Sequence, residues 1–189
     1  MINLKDTFLE SQYWMMSIQA AFQRSGIYTN VSDKTKEVFR SQLHISVKQI
    51  AEQYKTEISE EQHILNILKL QNASKNLDLL KNGILNFGIC QKLLNLYLKY
   101  LWCAGWIPTP PHFPIDRLIQ ERLDFKQNEV VSWTKDILTS KDYMKIIDNS
   151  KVILAKTDIK NLAELELEIY THNNLKELMK LKRHVTTRS

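Results

Sequence analysis

The chain has 189 residues, 43% of them hydrophobic and 25% charged, with two cysteines and a formal net charge of +5. That length suits one domain able to bury roughly 70% of the surface its unfolded chain exposes. Two cysteines with no histidine at ligand spacing exclude a disulfide framework and a zinc motif, so no metal and no cofactor are expected. Cys90 and Cys103 share one apolar segment, where a free thiol behaves as a small buried hydrophobe.

The opening MINLKDTFLESQ carries charge from Lys5 onward and has no signal-peptide core. No run of about 18 apolar residues exists to span a bilayer. The expectation is a cytoplasmic protein with no membrane association. Residues 176–189 hold Lys176, Lys180, Lys182, Arg183 and Arg188 against Glu177, which is +4 of the total, leaving residues 1–175 near neutral. This divides the chain into a single helical domain, 1–175, and a basic tail, 176–189.

Only four glycines and four prolines interrupt the chain, so long helices are expected and the fold class reads as all-α. The first helix is predicted from Leu4 to Arg24, ending before Gly26. A second runs from about Asp33 to Tyr54, with Val38, Phe39, Leu43, Val47, Ile50 and Tyr54 along one face. Ser59 and Gln62 make a capping-box pattern that starts a third over Glu60 to Gln71. Ser74 is expected to cap a short fourth ending at Gly83.

Past Gly88 the segment ICQKLLNLYLKYLWCAGW is apolar nearly all round, which marks a central helix from Ile89 to Cys103. Its polar residues Gln91, Lys92, Asn95 and Lys99 share a narrow face turned to solvent, a cleft or a partner. IPTPPHFP cannot be helical, because each proline removes a donor and extends the residue before it. Short helices are then expected at Ile115 to Leu123 and Val130 to Leu138. Another is capped by Ser140 and ends by Asp148, and a last runs from Asn161 to Lys182 with Asn161 and Glu164 as its start signal. Five scattered histidines read as structural or surface groups, and Glu164, Glu166 and Glu168 as a solvated surface.

The signatures of P-loops, nucleophile elbows, zincins and dinucleotide-binding turns are absent. What remains is GILNFGICQKLLNLYLKYLWCAGWIPTPPHFPID, Gly83 to Asp116. A small-residue turn leads into a helix that opens with a lysine, and a proline-rich loop delivers an aspartate at the next helix start. This order resembles the helix-hairpin-helix DNA glycosylases, above all the archaeal 8-oxoguanine branch. Lys92 matches the family's lysine, and Pro114, Ile115 and Asp116 match its P-x-D element.

The resemblance implies a glycosylase-like fold and a DNA partner. Lys92 would attack the sugar as the base departs, and Asp116 would take the amine's proton or offset positive charge on the sugar. It implies that an extruded base is held by Phe87, Gln91, Tyr97, Trp102, Trp106 and His112. Gly83 and Gly88 would bring backbone amides to a phosphate, and Lys180, Lys182 and Arg183 would add electrostatic attachment. From residue types alone, Lys92 also fits a side chain snorkelling from a buried helix, Asp116 a helix cap, and the aromatics core packing. The corresponding alternative is a non-catalytic helical module that binds protein or nucleic acid, such as serves bacterial defence, toxin–antitoxin or mobile-element systems.

Overall fold

The computed structural model describes residues 3–23 and 25–172. Among them are seven α-helices: α1 (Leu4–Phe22), α2 (Asp33–Ala51), α3 (Glu60–Ala73), α4 (Phe87–Cys103), α5 (Arg117–Arg122), α6 (Ser140–Leu154) and α7 (Leu162–His172). The basic tail, with Lys180, Lys182 and Arg183, lies outside the described residues, as does the predicted extension of the last helix to Lys182. No helix among the described residues is long and apolar enough to cross a membrane.

The helix starts follow local chemistry. Asn3, Ser32, Ser59, Asn86 and Asp116 each accept a hydrogen bond from an amide two or three residues on, satisfying donors that a helix start leaves open. Asn161 does the same for the Glu164 amide at 2.9 Å. At α6 the cap is Thr139 rather than Ser140, in a full capping box with Asp142, and that helix runs to Leu154 rather than stopping at Asp148. The last turn of the predicted second helix tightens into a 3-10 turn, Glu52–Lys55.

α4 is the axis of the fold. Leu93, Leu94 and Leu98 are fully buried, and α1 and α3 pack along it. α1 is pinned by Glu10, whose carboxylate accepts the Tyr97 hydroxyl of α4 at 2.6 Å and sits 2.6 Å from His44 Nε2 and 3.2 Å from Lys48 Nζ on α2. Burial opposes ionisation of Glu10, but the bonds from Tyr97, His44 and Lys48 outweigh it and hold its pKa below the usual value.

Two predicted helices do not form, and in both cases tertiary hydrogen bonds take the backbone away from a helical ladder. Residues 74–83 are a compact turn. There Ser74 Oγ donates to the Gln71 carbonyl and accepts the Leu85 amide, closing α3 instead of opening a new helix. Asn76 Oδ1 takes the Leu79 amide at 3.0 Å, and Tyr28 and Leu80 form an isolated antiparallel bridge. Gly83 reverses the chain at φ +66°, a conformation L side chains rarely adopt.

Residues 130–138 likewise make turns, because the start of α4 consumes their carbonyls. Asn86 Nδ2 donates to the Thr134 carbonyl at 2.7 Å, and the Gly88 amide donates to the Ile137 carbonyl at 2.8 Å. Gly88 is the hinge of this docking, since a Cβ there would lie 1.9 Å from the Trp133 carbonyl oxygen. Gly88→Ala gains about 1 kcal/mol of helix propensity, which the overlap outweighs. The expected outcome is a net loss of about 3 kcal/mol, read as a lower urea midpoint at unchanged slope.

Candidate functional site

The polar face of α4 turns inward, onto the proline loop and α7. Gln91 and Asn95 are fully buried and serve the loop. The Gln91 amide donates to the Ile115 carbonyl at 2.7 Å and accepts the Ile115 amide at 3.1 Å. Asn95 Nδ2 donates to the Phe113 carbonyl and to the Tyr143 hydroxyl oxygen, both at 3.0 Å. A loop with three prolines in four positions cannot tie itself down by regular pairing, so these amides supply the missing partners.

This clamp fixes the start of α5, immediately beyond Ile115. Asp116 caps α5 through Oδ1, which accepts the Ile119 amide at 3.0 Å, while Oδ2 lies 3.2 Å from Lys92 Nζ. The structure therefore brings Lys92 and Asp116 together, and one carboxylate serves as both cap and ion-pair partner. The Lys92 ammonium also sits 3.8 Å from the centre of the Trp133 ring, a cation–π distance. Only 6% of its side chain is exposed, against 31% for Asp116.

Both groups border a cleft of about 520 Å3 lined by the end of α1 and the lengths of α4, α5 and α7, within the roughly 300–1,000 Å3 range of small-ligand sites. Further along α4, Lys99 Nζ bonds both Glu166 oxygens, at 2.6 and 2.8 Å. Glu166, expected on a solvated surface, is instead 4% exposed. It lies four residues after Leu162 and three before Ile169, on the buried stripe of α7. Burial raises its pKa, with Lys99 pulling against that and the nearby Asp116 charge adding to it. The two ion pairs thus feel each other's field across the cleft. Tyr100, Arg122 and Tyr170 complete the charged and aromatic part of the wall.

The aromatic set expected around Lys92 lies elsewhere. Phe87 is fully buried against Tyr143, and Tyr97 is buried with its hydroxyl on Glu10. Trp106 packs on Tyr13, and neither it nor Trp102 borders the Lys92 cleft. Gln91 and His112 are fully enclosed, so they act on protein groups. The Gly88 amide, expected at a phosphate, is taken by Ile137, and the Gly83 amide donates to the Leu80 carbonyl at 2.9 Å. Large aromatics at helical spacing carry no mark of which ring faces the core, whereas Tyr170 and Glu166, one turn apart on α7, share the face turned to Lys99.

Two histidines that look isolated in the sequence meet in the core beside the loop. His63 and His112 pack edge to face, 4.8 Å between centroids. His112 Nε2 lies 2.7 Å from Glu60, and its Nδ1 lies 3.0 Å from the Tyr143 hydroxyl. Because Asn95 donates to that hydroxyl, the tyrosine proton points at Nδ1 and the neutral ring carries its own proton on Nε2. Burial holds His63 well below the ordinary imidazole value and also lowers His112, against the opposing pull of Glu60. No group of three or more His, Cys, Asp or Glu side chains among the described residues could hold a metal ion.

Among the described residues the fold is all-α, with a buried lysine paired to a partly open carboxylate at the edge of a cleft. No protein-family model, no curated protein and no solved structure matches the chain.

Imidazoles held neutral in the fold protonate freely once unfolded, so acid favours the unfolded state. The stabilisation is complete above the ordinary value of 6.5 and is lost as pH falls towards the depressed folded values. Unfolding free energy should therefore fall by up to about 1.4 kcal/mol per pH unit for each histidine in that window. His63→Gln should reduce the slope by one proton's share, as measured by urea unfolding between neutral and mildly acidic pH.

Proposed function

We propose that the protein is a lysine-dependent DNA glycosylase-like enzyme that removes a base from a nucleotide drawn out of the helix and then opens the sugar through a Schiff base. The observation that carries this reading is the Lys92 amine held 3.2 Å from the Asp116 carboxylate at a cleft of nucleotide-compatible size. The order of the two residues around a proline loop, which resembles the helix-hairpin-helix glycosylases, supports it. The fold would then be a divergent relative of that family, acting in the cytoplasm where DNA is accessible.

The chemistry needs only these two groups and water. Asp116 takes a proton from the Lys92 ammonium, and the freed lone pair forms a bond to the sugar C1′. The C1′–N bond to the base breaks, its electron pair leaving with the base, which takes a proton from solvent. The secondary amine formed on C1′ loses its extra proton to solvent. The C1′–O4′ bond then opens, O4′ receives the Asp116 proton, and nitrogen and C1′ are left as a Schiff base. Loss of a C2′ proton expels the 3′ phosphate, and water releases the lysine.

One observation favours a second reading, a non-catalytic helical module that binds protein or nucleic acid. The Lys92 side chain is braced between the Asp116 carboxylate and the face of the Trp133 ring, as a strut for the loop would be.

Asn caps helices as well as Asp, so Asp116→Asn keeps the cap and removes the proton acceptor. Base release from duplexes carrying uracil, hypoxanthine, 8-oxoguanine or an alkylated purine should be detectable for at least one lesion. Asp116→Asn should slow it by about 10²–10⁴-fold, and Lys92→Gln should abolish it, with thermal melting showing both variants folded. Absence of release across the panel, or release undiminished in Lys92→Gln, overturns the reading in favour of the binding module.

A further inference from the structure

Tyr170 is anomalous for a residue at the edge of a cleft. It sits on α7 one turn beyond the buried Glu166, and 59% of its surface is open. Its ring nonetheless has two cations near it: Lys99 Nζ is 4.6 Å from the ring centre and the Arg122 guanidinium carbon 5.4 Å. Lys99 is not there by chance of rotamer, because both Glu166 oxygens hold its ammonium. Three elements thus converge on one ring, α4 with Lys99, α5 with Arg122 and α7 with Tyr170, and all three residues border the cleft that contains Lys92 and Asp116.

An aromatic face backed by cations is well suited to a second aromatic ring that is itself attached to an anion. Stacking needs only a π face, so it tolerates any base, and a guanidinium beside the ring offers bidentate hydrogen bonds to a phosphate. A purely apolar ligand would gain nothing from Arg122 and Lys99, and a purely anionic one would gain nothing from an exposed tyrosine ring. A nucleotide uses both.

We infer that Tyr170 is the stacking platform for a base of single-stranded or locally opened nucleic acid, with Arg122 contacting the phosphate of that nucleotide and Glu166 holding Lys99 over the ring. This rests on the glycosylase-like reading for its nucleic-acid partner, and extends it by naming the residues that grip the strand. The role of Tyr170 is binding and requires no chemistry at Lys92.

The test is fluorescence anisotropy of the full chain with a labelled single-stranded oligothymidine across a salt titration. Tyr170→Ala should weaken binding by about tenfold, and Tyr170→Phe, which keeps the ring, should stay within about twofold of the parent. Arg122→Gln should reduce the slope of affinity against salt by about one counterion. Absence of oligonucleotide binding by the parent chain, or equal affinity of Tyr170→Ala and the parent, overturns the platform. Weakened binding in Tyr170→Ala together with no base release by the parent supports the platform and rejects the enzyme. Undiminished binding in Tyr170→Ala beside intact base release rejects the platform alone.

Discussion

The side-chain amide of Gln91 grips the backbone of Ile115 by both its carbonyl and its amide, and the arrangement of the cleft depends on that pair of bonds. They do for an irregular, proline-rich segment what a neighbouring strand does in a sheet. Both partners are fully buried, where an unmatched polar group costs about 1–3 kcal/mol, so the loop has one favourable seat. Asn95 adds a single bond two residues earlier, donating to the Phe113 carbonyl. Once Ile115 is seated, Asp116 can only begin α5 beside Lys92, and Pro114 forms part of the cleft wall.

The cleft is electrostatically expensive. Lys99 and Glu166 are an ion pair with little solvent, and Lys92 is almost wholly withdrawn from water. Buried pairs repay their desolvation poorly, and replacing them by apolar side chains is often neutral or stabilising. Two ion pairs lie along one cleft, Lys99–Glu166 withdrawn from solvent on both sides and Lys92–Asp116 with its carboxylate partly open. Lys92–Asp116 sets an amine and a proton acceptor against each other, while Lys99–Glu166 keeps a cation beside Tyr170. Lys92 and Lys99 lie seven residues apart, two turns of α4, so both pairs open to the same side.

Much of the helical scaffold is legible in the sequence because it is written locally. Ser59 and Asn161 cap helices as their start signals indicate, apolar periodicity identifies α2, and all-round apolarity identifies α4. The segments 74–83 and 130–138 read as helices yet fold as turns, because their hydrogen bonds go to α3, to residues 27–29 and to the start of α4, partners no local pattern reveals. The polar face of α4 is visible as a face, but its destination is not: Gln91 and Asn95 bond backbone some twenty residues away. Glu166 looks solvated because Glu164 and Glu168 flank it in sequence, although the helix turns it inward. Lys92 and Asp116 can be foreseen as a pair, whereas the rings around them cannot: Trp133, over which the Lys92 ammonium sits, and Tyr100 and Tyr170 in the cleft wall carry no mark that separates them from the core aromatics Phe87 and Tyr97.

The proposed chemistry requires the amine of Lys92 to form a covalent bond to a sugar carbon. It is tested most directly by incubating the protein with duplex DNA carrying an abasic site, reducing with borohydride, and mapping the adduct by mass spectrometry of proteolytic peptides. The sugar-derived mass is expected on Lys92, next to Gln91 in its peptide, with Lys99, seven residues on and held by Glu166, unmodified. An adduct spread over surface lysines with none at Lys92, or no adduct at all, contradicts it.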